Sequence, residues 1–168
     1  ANGVASPLAR LWLEVVLVPV SKPNGGVRPI ALLEVILKLI TGTSADVERR
    51  LLQQSFRTEH SGQARQYGCE DGGPEQVLLL ARTMQVEFPH HAFGSLDIKN
   101  AFGTADRWQA VRSLHRRAPT TAAAMMAMYR HGSIRAHVYP NTPHHMQLYI
   151  PEGVVQGDQG SAPTFAAG

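Results

Sequence analysis

The alternation of apolar and polar positions divides the chain into short pieces. Residues 13–20 form an apolar run rich in β-branched side chains, and residues 27–32 form a second. Between them stands Pro23-Asn24-Gly25-Gly26, and Asn-Gly between two such runs predicts a β-hairpin. From about 32 to 54 the apolar residues recur at helical spacing (Leu33, Ile36, Leu37, Ile40, Val47, Leu51, Leu52). Thr41-Gly42-Thr43-Ser44 interrupts that pattern and predicts a kink or two helices. Pro74, after Gly72-Gly73, suits the first residue of a helix running to about Phe88. Residues 92–96 read as a short buried strand ending at Asp97. Asp106 is placed to cap a helix over 107–117, and Pro119 ends it and opens an Ala/Met-rich helix to Tyr129. Residues 134–139 and 146–150 predict two strands joined by a Pro-rich turn. A hairpin, helices, a strand, helices and strands, in that order, make an α+β chain rather than a regular βαβα one.

Composition narrows the classes. The 168 residues fit one domain. The chain is 43% apolar but only 17% charged, which suggests faces meant to be covered by a larger body. A single cysteine, Cys69, excludes a disulfide framework and a cysteine-rich zinc site. The longest weakly charged stretch, 15–31, is broken by Lys22 and Arg28, so no membrane-spanning helix is expected. No targeting signal is read at Ala1-Asn2-Gly3, and both ends look cut, as in a fragment. An intracellular place, nuclear or cytoplasmic, is expected.

Charge is unevenly spread. The net charge is +3, yet residues 107–151 hold six arginines, five histidines and no Asp or Glu. A one-signed stretch is a candidate phosphate-facing surface or an ordinary solvated helix face.

Three constellations could carry chemistry. Lys22 and Arg28 flank the hairpin tip, where two cations can clamp a polyphosphate. A three-residue loop, Asn24-Gly25-Gly26, would set them opposite each other on one face, and a two-residue loop on opposite faces. Gly94-Ser95-Leu96-Asp97-Ile98-Lys99-Asn100-Ala101-Phe102 puts a carboxylate at a strand end, useful to Mg²⁺, which takes one or two protein carboxylates plus substrate phosphates. Asp97 could equally cap a turn. Gly153-Val154-Val155-Gln156-Gly157-Asp158-Gln159-Gly160-Ser161 is a Gly-rich loop without the Lys of a P-loop. The pairs His90-His91 and His144-His145 read as surface residues, Cys69 as a small packed residue, and the Met125, Met126, Met128 cluster as core.

In order, Val18-Pro19-Val20-Ser21-Lys22-Pro23-Asn24-Gly25-Gly26-Val27-Arg28-Pro29-Ile30, Lys38, Arg49-Arg50-Leu51, Gln66-Tyr67-Gly68, Leu96-Asp97-Ile98-Lys99-Asn100-Ala101-Phe102, Gly153-Val154-Val155-Gln156-Gly157-Asp158 and Phe165 resemble reverse transcriptases of non-LTR (LINE-type) retrotransposons. The resemblance covers about nine tenths of the chain. It implies the fingers (about 1–90) and an incomplete palm (about 91–168) of a right-hand polymerase, an RNA-directed DNA polymerase. Its implied partners are an RNA template, a DNA primer and deoxynucleoside triphosphates, with no membrane. Lys22 and Arg28 would hold the incoming triphosphate. Asp97, with the Ile98 carbonyl, would be the catalytic ligand of a two-ion Mg²⁺ site. Phe102 would be the steric gate under the sugar, and Gln156 and Gly157 would touch the incoming nucleotide and template. Gln159 and Ala162 depart from the prolines usual there. The family's second metal motif, an aromatic-x-Asp-Asp hairpin, is not among these residues, so the stretch alone is expected to be inactive. The alternative is a non-catalytic nucleic-acid-binding remnant of a decayed element.

Overall fold

A computed structural model describes residues 14–58, 66–130 and 134–168. The expected strand position Leu13 lies outside them. The described residues form an α+β fold in which helices cover one face of a four-stranded mixed sheet. The strands are β1 (Glu14–Ser21), β2 (Val27–Leu32), β3 (Ile134–Val138) and β4 (Met146–Ile150), in the order β2-β1-β3-β4. β1 pairs antiparallel with β2 and parallel with β3, and β3 pairs antiparallel with β4. Side chains alternate across a strand. Val15, Leu17, Ala31, Ile134 and Ala136 therefore share the face turned to the core, and all but the partly buried Leu17 are at most 2% exposed.

The hairpin closes differently from the expected loop. Ser21 faces Val27 and Val20 faces Arg28. Lys22 N–H donates to the Gly26 carbonyl at 2.7 Å, and Gly25 N–H donates to the Lys22 carbonyl at 3.0 Å. The loop is thus Pro23-Asn24-Gly25, with Gly25 at φ 81°, a three-residue turn whose last residue is left-handed. The shift is two positions, so the faces do not change: Lys22 and Arg28 stand on one face as diagonal rather than direct neighbours. The Lys22 stem lies over Gly26 on that same face.

Six helices are present among the described residues: α1 (Val35–Thr58), α2 (Gly73–Glu87), α3 (Ala101–Thr104), α4 (Arg107–Arg117), α5 (Pro119–Tyr129) and α6 (Ser161–Ala167), with a 3₁₀ turn at Tyr67–Cys69. The expected break at 41–44 does not occur, and α1 runs unbroken for 24 residues. Its hydroxyls bond back within the helix, Thr41 Oγ1 to the Leu37 carbonyl at 3.0 Å and Ser44 Oγ to the Ile40 carbonyl at 2.7 Å, as such side chains do mid-helix. The Gln159 side chain lies over Gly42: a Cβ there would stand 2.1 Å from Oε1, the end of that flexible side chain.

Helix ends follow the local chemistry. The Asp106 carboxylate accepts from the N–H groups of Trp108 and Gln109, both at 3.0 Å. Ala118 gives α5 no side-chain cap. Glu48 of α1 supplies it instead, accepting from Thr120 N–H at 2.8 Å, Thr121 N–H at 2.7 Å and Thr121 Oγ1 at 2.8 Å.

The strand expected at 92–96 is absent. Residues 92–98 carry no ladder, and every residue from 74 to 100 is exposed. A strand needs a partner for its N–H and C=O groups, and none of the described strands borders this segment. No helix among the described residues is long and apolar enough to cross a membrane.

Candidate functional site

The Gly-rich loop after β4 is held by five elements: β2, α5, α3, α1 and α4. Ala31 N–H of β2 donates to the Gln156 carbonyl at 2.9 Å, so the loop extends the open edge of the sheet by one bond. Gly157 sits at φ 115°, and a Cβ there would meet the Ala31 carbonyl oxygen at 2.6 Å. Only glycine meets both demands. Val155 N–H donates to the Tyr129 hydroxyl of α5 at 3.0 Å. Val154 N–H donates to the Phe102 carbonyl at 2.8 Å, which ties the loop to α3.

Asp158 anchors the loop's far end. Its carboxylate is 6% exposed, receives Thr41 Oγ1 of α1 at 2.5 Å and lies 3.4 Å from Ser161 Oγ. Burial raises its pKa above the ordinary aspartate range, and the hydrogen bonds from Thr41, Gly160 and Ser161 only partly offset this.

The near end is gripped by Arg107. Its Nε donates to the Gly153 carbonyl at 2.6 Å, Nη1 to that of Pro151 at 3.1 Å, and Nη2 to those of Glu152 and Ile150 at 2.8 and 3.2 Å. The guanidinium lies 4.4 Å from the Tyr129 ring centroid. This is a planar fork satisfying consecutive carbonyls over an aromatic face, a task suited to Arg. Arg107 belonged to the stretch expected to face phosphate, and it is spent inside the protein. Arg117 is also engaged, donating to Ser113 Oγ at 2.8 Å and lying over the Phe56 ring.

These ties open a cleft of about 280 Å³ lined by Leu17, Pro29, Ala31, Asn100, Phe102 and Gln156, among others. Phe102 stacks on Phe165 of α6, centroids 4.9 Å apart, while still lining the cleft. Phe102 and Gln156, distant in sequence, thus meet. Gly157 seats the loop on β2 beside them.

The other candidate residues stand apart from this cleft. Asp97 and Ile98 are exposed, on an unpaired segment rather than at the end of a buried strand. Ile98 lines a second depression with Phe165 and Ala105. Lys22 and Arg28 occupy the sheet face opposite to that of Leu17, Pro29 and Ala31, so the hairpin cations and the cleft lie on two sides of β2. His145 Nε2, in the turn before β4, lies 2.9 Å from His137 Nδ1 of β3. No group of three or more His, Cys, Asp or Glu side chains suited to a metal ion occurs among the described residues.

Three members of the site were not singled out from the sequence. Asn100 opens α3 from a left-handed conformation, φ 57°, which Asn tolerates better than other non-glycine residues. Thr41 and Tyr129 reach the loop from helices whose spacing in sequence reveals nothing of it. The only signal was Gly42 beside Thr41, a small residue where a loop could approach.

No protein-family model matches this chain, and no curated protein does.

Proposed function

We propose that the chain is part of a reverse transcriptase of the non-LTR type, and that the cleft between Phe102 and Gln156 receives the sugar and base of an incoming deoxynucleotide. The observation that carries this reading is the meeting of Phe102 and Gln156 in one cleft, with Gly157 fastened to β2. Two separate sequence blocks, each resembling a nucleotide-contacting block of that family, converge on a single concavity. Clefts with a few fixed polar groups are the usual form of small-ligand sites.

The reaction in this reading is attack of a primer 3′-hydroxyl on the α-phosphate of a deoxynucleoside triphosphate, templated by RNA, with pyrophosphate leaving. Mg²⁺, when bound, neutralises charge on the phosphates. The Asp97 carboxylate and the Ile98 carbonyl are hard oxygen donors of the kind it takes, and their exposure leaves room for phosphate oxygens to complete the shell. Phe102 packs under the sugar and leaves no space for a 2′-hydroxyl. The Gln156 amide is free to meet the base or sugar edge. Lys22 and Arg28, which the resemblance assigns to the triphosphate, stand on the sheet face away from the cleft, so their part in binding requires a rearrangement of the hairpin tip. Every residue from 22 to 29 is exposed.

The test is equilibrium binding of dTTP and UTP to the chain in Mg²⁺. Lys22→Ala and Arg28→Ala should each weaken dTTP binding by roughly tenfold, the scale of one charge-assisted hydrogen bond. Phe102→Val should let UTP bind as dTTP does. Binding indifferent to all three changes, in a chain that stays folded, would overturn the reading in favour of the non-catalytic remnant.

A further inference from the structure

The outer face of α4 carries a site the nucleotide cleft does not use. α4 buries Arg107, Ala110, Val111, Ser113 and Leu114 against the rest of the fold. That leaves Trp108, Arg112 and Arg116, four residues apart, in one line along its exposed side. Successive members are displaced by about 6 Å along the axis. They border an open groove of about 510 Å³ together with Gln109, Ser113 and Gly168.

The arginines of this stretch sort into two kinds. Arg107 and Arg117 are engaged by backbone carbonyls, Ser113 and aromatic rings. Arg112 and Arg116 are exposed and have no carboxylate partner among the described residues. The one acidic side chain lining the groove, Asp106, accepts with Oδ1 from the N–H groups of Trp108 and Gln109. Sequence adds that no Asp or Glu occurs from 107 to 151. Complementing the helix dipole accounts for Arg116, in the last turn. It accounts neither for Arg112 nor for an indole left 40% exposed at the first turn.

We infer that this groove binds a single-stranded nucleic acid, with a base stacked on Trp108 and successive phosphates on Arg112 and Arg116. Two cations in line at regular spacing fit a polymer with repeated charge better than one anion, which calls for converging donors. An exposed indole adds what an unstacked base supplies, a flat face. A duplex keeps its base faces inside its own stack and offers the indole nothing. The groove does not depend on the polymerase reading: a chain that takes RNA here but no nucleotide in the Phe102 cleft would keep this site and lose the other.

The test is titration of the chain with a dodecamer of oligouridylate, followed by tryptophan emission in a Trp12→Phe background so that Trp108 alone reports. Emission should change on binding. Arg112→Gln and Arg116→Gln should each lower the slope of log affinity against log salt by about 0.7. Trp108→Ala should weaken binding by about five- to a hundredfold. Arg82→Gln, an exposed arginine on α2, should leave the slope unchanged. A sulfated heparin fragment, a polyanion without bases, should bind without altering Trp108 emission. The inference is overturned if oligouridylate binds with Trp108 silent, or if Arg82→Gln lowers the slope as much as the α4 variants do. The arginine variants lie on the surface and keep the test open should Trp108→Ala fail to fold.

Discussion

Around the 151–161 loop, polar groups are buried; along 74–100, apolar groups are exposed. In the first region Arg107, Thr41 and Asp158 are at most 6% exposed, and each is met by named partners. In the second, Leu79, Val86 and Leu96 are 67, 81 and 99% exposed, and α2 leans mainly on the 3₁₀ turn at Tyr67–Cys69. Side-chain polarity alone would place both regions wrongly. Burial here follows what backbone needs to be satisfied. The loop offers a run of carbonyls and N–H groups, and the buried side chains of Arg107 and Tyr129 satisfy those of residues 150–153 and 155. The 74–100 segment presents apolar surface of the kind that marks an interaction face.

The sharpest way to break this contrast is to remove Arg107. Arg107→Ala leaves the carbonyls of residues 150–153 without their donors and uncovers the Tyr129 ring. It should cost about 3–5 kcal/mol, several unsatisfied groups at about 1–3 kcal/mol each with partial rehydration. Denaturant unfolding would measure it. Arg107→Lys, one point charge in place of a fork, should recover less than half.

Glu48 comes next. Glu48→Ala strips α5 of its cap and should cost about 3 kcal/mol. Burial raises the Glu48 pKa, but the hydrogen bonds from Thr121 and Thr120 outweigh it and hold the carboxyl below its ordinary 4.5. A depressed folded pKa contributes stability that is complete above the unfolded value and is lost as pH falls through the folded one. Unfolding of the wild-type chain should therefore ease as pH falls below about 4.5, and the Glu48→Ala chain should lack this component. Parallel curves for the two chains would remove the cap from the account.

What the sequence made legible divides along the same line. The hairpin, the Asp106 cap, the Pro74 and Pro119 helix starts and both later strands rest on local chemistry, and the structure has them. The errors were non-local. Thr41-Gly42-Thr43-Ser44 looked like a break because nothing within α1 says that Gln159 packs on Gly42. Residues 92–96 read as a short strand, but a local run of residues does not supply the pairing partner a strand needs. Glu48 capping a helix more than seventy residues on has no local signature. At the cleft, Phe102 and Gln156 were legible as blocks, but their meeting depends on the Ala31–Gln156 bond, which only the sheet's topology provides.

Asp158 tests whether the buried loop needs charge or only hydrogen bonds. Thr41 Oγ1 has one hydrogen and three acceptors in reach, the Leu37 and Lys38 carbonyls and, closest, Asp158 Oδ1. An ionised Asp158 competes with Leu37 for it. A protonated one donates to Thr41, which then donates to Leu37, and every group is served. The raised pKa has the matching sign: stability present below the unfolded value declines as pH rises through the folded one. Asp158→Asn supplies that donor permanently. It should change stability by no more than about 1 kcal/mol and flatten this decline, whereas Asp158→Ala should cost about 2 kcal/mol. An Asn variant as unstable as the Ala variant would mean that the negative charge itself holds the loop.

The smallest effect is expected on the exposed side. Leu96 is 99% and Leu79 67% exposed, so the folded state gains almost nothing from either side chain beyond what the unfolded chain already has. Burial stabilises by about 25 cal/mol per Å² removed from water, and scarcely any is removed here. Leu96→Ser and Leu79→Ser should therefore shift unfolding by no more than about 0.5 kcal/mol. Leu114→Ala, at 0% exposure in α4, should cost about 3 kcal/mol. Both serine changes should also reduce association of the chain with itself or other apolar surfaces, measured by sedimentation, since a patch left in water is attractive to other surfaces. A cost of 2 kcal/mol or more at Leu96 would mean that the 92–98 segment is packed in solution, and the contrast between the two regions would fail at its exposed end.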